Sequence, residues 1–157
     1  MRRRGPSALF CLLTLGGLPT PVPAAGAAPS VQYFPAPIAN APFSAAVRVG
    51  DMLYLSGQIG IGADGTLPRD FADQVRQAMG NVGEVLKQAG ASFDDVVKCT
   101  VMLADMARWE DFNQIYLGYF KHGHLPARSA LGTSGLARGA QLEIECWAYR
   151  PVAARAR

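Results

Sequence analysis

Gln141-Leu142-Glu143-Ile144-Glu145-Cys146-Trp147-Ala148-Tyr149 alternates in residue type along its whole length. A strand turns successive side chains to opposite faces, so Leu142, Ile144, Cys146 and Ala148 share one face and Glu143, Glu145, Trp147 and Tyr149 the other. The first set suits a core covered by helices. The second sets two carboxylates beside two large aromatics, a surface that water alone covers poorly. That leftover face predicts a subunit interface, and therefore an oligomer.

The segments before this strand supply the helices. Phe71, Val75, Met79, Val82 and Leu86 recur at helical spacing from Asp70 to about Gly90, and Trp109, Phe112, Tyr116 and Phe120 mark a second helix with an aromatic core stripe. Between them Val96 to Leu103 reads as a strand. Ala45 to Val49 and Met52 to Ser56 are strands joined at Gly50-Asp51, a hairpin signal. Gly57 to Leu67 is a glycine-rich loop, Ser30 to Pro42 an extended arm rich in Pro and Ala, and another strand opens after Pro126 at Ala127. The order is ββαβαββ. Two helices are too few to cover both faces of such a sheet, so they pack on one, giving an α+β sandwich over a mixed sheet.

Met1 to about Ala27 differs in kind. Arg2, Arg3 and Arg4 precede an apolar run, Ala8 to Leu18, and then a small-residue stretch ending in Ala24-Ala25-Gly26-Ala27-Ala28. This is the order of a secretory signal peptide, and the run falls short of the roughly 20 residues a membrane span needs. The expectation is a leader over 1–27, a single domain over 28–157, and export to the periplasm or beyond. The net charge of +3 belongs to the leader: without its three arginines, twelve basic residues face twelve acidic ones. A near-neutral domain with no basic run carries no electrostatic footprint for nucleic acid. Cys99 and Cys146 both lie in apolar strand runs, where they can pack as small hydrophobes or pair in an oxidising compartment. His122 and His124 sit two apart in a loop, and no metal-ligand spacing occurs, so no metal site is expected.

Arg128 stands in a small, apolar run, Ala127 to Leu131. Its rigid fork suits a carboxylate, a geometry lysine cannot copy. Glu143 follows 15 residues later, and a hairpin between their strands would bring both side chains to one face. Such a pair reads either as a hydrolytic site, with arginine holding a carboxylate and glutamate orienting water, or as a structural ion pair in an interface. Ser56-Gly57-Gln58 ends a strand with backbone N–H groups that can hold negative charge, or is a plain turn. Asn113 is either a core amide or a site ligand. Ser129 has neither a GxSxG frame nor a nearby His, which argues against serine-hydrolase chemistry.

Pro126-Ala127-Arg128-Ser129-Ala130-Leu131, then Ser134, Leu136 and Leu142-Glu143-Ile144-Glu145, resembles the C-terminal signature of the Rid (reactive intermediate deaminase, YjgF-type) family, including the arginine-to-glutamate spacing. Met52 to Gln58 resembles its strand ending in Ser-Gly-Gln, and Asn113 stands three before Tyr116 as in the family. The resemblance covers about residues 31 to 150. It implies a chorismate-mutase-like fold, a homotrimer with sites in clefts between subunits, and cofactor-free hydrolysis of a 2-imino or enamine acid to a 2-oxo acid and ammonia. Arg128 would clamp the substrate carboxylate, Glu143 would position water, backbone at Gly57 and Ala130 would complete the pocket, and Ser56 and Asn113 would stand behind them. Phe43 falls where active members often carry a Tyr, and Ala130 where a Cys is frequent. Loss of the Tyr hydroxyl keeps a second reading open: a non-catalytic trimer that binds small carboxylates in the same pocket.

Overall fold

The computed structural model describes residues 29–151, so the expected leader over 1–27 and the domain start at 28 lie outside the described residues. The chain runs β1 (Val31–Pro35), β2 (Ser44–Val49), β3 (Met52–Leu55), β4 (Gln58–Ile59), α1 (Phe71–Gln88), β5 (Val96–Leu103), α2 (Trp109–Tyr116), β6 (Ala127–Gly132) and β7 (Leu142–Tyr149). The expected ββαβαββ order is present with two additions, β1 and β4. The strands form one sheet in the order β1-β2-β3-β7-β5-β6, with β4 also paired to β7. Every pairing is antiparallel except β5 with β6, which the α2 crossover makes parallel.

Local chemistry explains the elements. Val49 faces Met52 across a two-residue turn in which Gly50 adopts φ +58°. The Asp70 carboxylate caps α1 by accepting from the Asp73 N–H at 3.1 Å, and Gly90, at φ +72°, ends the helix region. Val75, Met79, Val82 and Leu86 of α1 are fully buried against the sheet, as are Leu142, Ile144, Cys146 and Ala148 of β7. Both helices contribute to this one core, and the opposite face of the sheet stays open. Across that open face Tyr33, Val47, Tyr54, Trp147 and Lys98 lie in one row, with the Tyr54 and Trp147 rings edge to face at 5.2 Å.

Three features depart from the sequence expectations or extend them. The arm expected from Ser30 to Pro42 is in part a strand: residues 31–35 form β1 on the edge of β2, anchored by buried Phe34. β2 reverses the simple hydrophobic pattern. Arg48 faces the core, where it is only 7% exposed, while Val47 and Val49 face outward. The guanidinium is satisfied there by the Ala89 carbonyl at 2.7 Å and the Arg150 carbonyl at 3.0 Å, so a cation sits at the C-terminal end of α1. Finally, Cys99 and Cys146 are register partners on β5 and β7 and form a disulfide, with both residues fully buried.

The disulfide links positions 47 residues apart, a closure that restricts the unfolded chain. Replacing both cysteines by alanine is expected to cost about 4 kcal/mol by the chain-entropy relation. Denaturant titration with and without reductant tests this. Wild type should drop to the stability of the double variant when reduced, and a reductant-insensitive wild type would count against the bond.

Candidate active site

β6 sets the first half of the site. Arg128 is in register with Cys99, which is in register with Cys146, so its side chain leaves the sheet on the helix-covered face, at the outer edge where α2 crosses. The α2 sequence spaces its aromatics so that they line one side of the helix. The Arg128 Cζ lies 4.4 Å from the Trp109 ring centroid, 4.7 Å from Tyr116 and 6.0 Å from Phe112. The stripe expected as plain core is therefore also the platform for this guanidinium, a cation–π arrangement that holds charge without neutralising it. Among the described residues no carboxylate stands within ion-pair distance of Arg128. Asn113 shares this side of α2 with the rings. Burial pushes the Tyr116 hydroxyl up to about 12, the Arg128 charge offsetting only part of the effect. Ala130, two residues along β6, is exposed on the same edge.

β7 and β4 set the second half. Glu143 alternates with buried Leu142 and Ile144 and so emerges on the open face, opposite Ile59 of β4. Gly57 lies against it so closely that a Cβ there would fall 1.9 Å from Glu143 Oε1. Ser56 uses its hydroxyl on the fold, donating to the Ser44 carbonyl at 2.7 Å, which pins the strand end. Phe43, 51% exposed, lines a groove of about 1390 Å³ with Ser56, Gly57 and Glu143. The glycine-rich loop is tied to α1 by Asn81, whose amide donates to the Ile59 and Ile61 carbonyls at 2.9 and 3.0 Å, and the start of β7 is tied to α1 by Gln74, which accepts from the Gln141 N–H at 2.9 Å. Neither amide was legible as a site support, because a polar residue within a helical period carries no signal of what it will bond.

The expected residues are thus brought into two groups, Arg128 with Asn113 and Ala130, and Glu143 with Phe43, Ser56 and Gly57. The hairpin expected between the strands of Arg128 and Glu143 does not form. β5 lies between β6 and β7, and the two side chains leave opposite faces of the sheet. The cause is the parallel crossover, which places β6 on one edge of β5 and leaves the other edge to β7. One chain therefore presents on one side a guanidinium with no acidic partner among the described residues, and on the other a carboxylate against the Gly57 backbone. Ser129, on the open side of β6, accepts a hydrogen bond from Lys98 Nζ at 2.6 Å.

Comparison with known proteins follows the same outline. The model of the family described as Endoribonuclease L-PSP matches residues 34–150. The 2-iminobutanoate/2-iminopropanoate deaminase of Mus musculus is 46% identical over 117 residues, 73% of this chain and 86% of that protein. Among solved structures, RidA from the Antarctic bacterium Psychrobacter is 33% identical with a TM-score of 0.68, covering 76% of this chain and 97% of its own. The YjgF gene product of E. coli is 35% identical with a TM-score of 0.68, over 74% of this chain and 94% of its own.

The Gly57–Glu143 contact is testable by stability alone. Gly57→Ala should destabilise the fold by about 2 kcal/mol through overpacking. Most of that loss should vanish in a Glu143→Ala background, a coupling above about 1 kcal/mol in a double-mutant cycle. Strictly additive effects in urea unfolding would mean that the two positions do not meet.

Proposed function

The chain belongs to the Endoribonuclease L-PSP (Rid) family, and from that membership we propose that it hydrolyses 2-imino or enamine acids to 2-oxo acids and ammonia. The observation that carries this reading is the Arg128 guanidinium, held over three aromatic rings with no acidic partner among the described residues. A cation kept in that state is ready for a substrate carboxylate. The names of relatives such as the mouse deaminase point to the same substrate class. The ribonuclease description of the family has less support here, since the domain lacks a basic track for phosphates.

Because Arg128 and Glu143 leave opposite faces of one chain, the reaction requires two copies. We infer a homotrimer in which Arg128 of one copy faces Glu143 and Gly57 of the next. The aromatic open face supports this assembly. In each cleft Arg128 clamps the carboxylate, with backbone at Gly57 and Ala130 closing the pocket. Glu143 takes a proton from water as its oxygen bonds to the imine carbon, and passes that proton to the nitrogen. The hydroxyl proton of the resulting carbinolamine then moves to nitrogen, the C–N bond breaks, and ammonia and the 2-oxo acid leave. Water is the only co-reactant. The buried Cys99–Cys146 disulfide supports work in an oxidising compartment, consistent with export to the periplasm. Phe43 favours a second reading, a trimer that binds small carboxylates without turnover, because its ring has no hydroxyl to offer the attacking water.

Ammonia release from imines generated in situ distinguishes the two. Wild type should accelerate release, and Arg128→Lys, which keeps charge but loses the fork, should lower kcat/KM roughly a hundredfold. Acceleration absent from wild type, with a melting temperature still raised by 2-oxo acids, would favour the binder. A second test addresses the shared site. Arg128→Ala and Glu143→Gln chains, each inactive, co-refolded in equal amounts should recover about a quarter of wild-type activity, because a ring with heterologous interfaces regenerates that fraction of intact sites. No recovery would mean that each site lies within one chain.

A further inference from the structure

Three buried polar side-chain atoms of the described residues lack a hydrogen-bond partner: Arg128 Nη1, and from the helix beneath it Asn113 Oδ1 and Tyr116 OH. Native interiors leave few such atoms, and here two belong to the helix whose Tyr116 ring lies 4.7 Å from the Arg128 Cζ. Asn113 and Tyr116 are three residues apart on α2 and so neighbours on its surface. Tyr116 is 2% exposed and carries Arg128 above its ring.

The aromatic platform leaves one degree of freedom open. Ring faces attract a cation and orient its plane, but they do not decide which N–H pair points outward. Only a directional bond to the inner nitrogen does. The three atoms are complementary for that purpose: Nη1 can only donate, Oδ1 can only accept, and the hydroxyl can do both. A water molecule, which donates twice and accepts twice, matches all three.

We propose that Tyr116 is a positioning residue: its hydroxyl, together with Asn113 Oδ1, holds one buried water against Arg128 Nη1. This turns the Nε–Nη2 edge of the guanidinium toward the substrate carboxylate. The inference rests on the clamp role proposed for Arg128. The raised pKa of Tyr116 is consistent with it. A hydroxyl that keeps its proton leaves the guanidinium charge whole, whereas a phenolate would pair with it and remove the attraction for substrate.

Tyr116→Phe keeps the ring and removes only the oxygen. In the intact protein labelled with 15N-arginine, the Arg128 Nη signals should be separate in wild type, where guanidinium rotation is slow, and should merge in Tyr116→Phe. In ammonia-release kinetics that variant should raise KM roughly tenfold, the loss of one bond to a charged group, while kcat stays within about twofold. Its melting temperature should fall by no more than a few degrees, because the hydroxyl bonds to water and to no protein atom. Asn113→Ala should merge the same signals, which keeps the test decisive if Tyr116→Phe folds poorly. Separate Nη signals and an unchanged KM in these variants would overturn the proposal. If wild type releases no ammonia, the deaminase reading fails, and the NMR arm still decides the role of Tyr116.

Discussion

The ladder between β5 and β7 governs where each functional group emerges. It pairs Cys99 with Cys146, Thr100 with Glu145 and Met102 with Glu143. Because paired residues share a face, one phase of this ladder buries the disulfide under the helices and the other sends both glutamates to the open side. β6 then joins β5 in parallel with Arg128 beside Cys99, in the buried phase. The separation of guanidinium from carboxylate follows from these two registers. A shift of one residue in either would exchange the faces and expose core side chains, so the core holds the arrangement in place.

The guanidinium shows how a fold can keep a charge in reserve. An exposed arginine is free to pair with any nearby carboxylate, whereas Arg128 is held by quadrupoles that attract without discharging it. Trp109, Phe112 and Tyr116 stack in succession along α2, with centroids 5.9 and 5.3 Å apart, so the platform is itself fixed by packing. Its rigidity comes from the same contacts that close the core, and the site needs no separate scaffold.

Much of this was legible in the sequence. Val96–Leu103 was readable to the residue, α1 from its period, and the two faces of β7 from strict alternation. Periodicity reports the face of a side chain but not the neighbour of a strand. The sequence therefore offered a hairpin between the strands of Arg128 and Glu143, where the fold inserts β5. β1 was obscured by the prolines around it, although Phe34 is a core residue. Arg48 was obscured by its own chemistry, since the carbonyls of Ala89 and Arg150 that make its burial possible lie 41 and 102 residues away. For the site, residue types spoke plainly through the Rid resemblance, but the partition of those residues between two faces needed the strand order.

The two tryptophans of the chain divide between the two halves of this design. Trp109 lies flat beneath the guanidinium, and Trp147 stands half-exposed on the open aromatic face beside Tyr54. Indole emission responds to the polarity and charge around the ring, so the molecule carries two intrinsic optical reporters with separate assignments. Changes at the cationic pocket register through Trp109, and covering of the sheet registers through Trp147. Ligand capture and self-association can therefore be followed as distinct signals in the unlabelled protein.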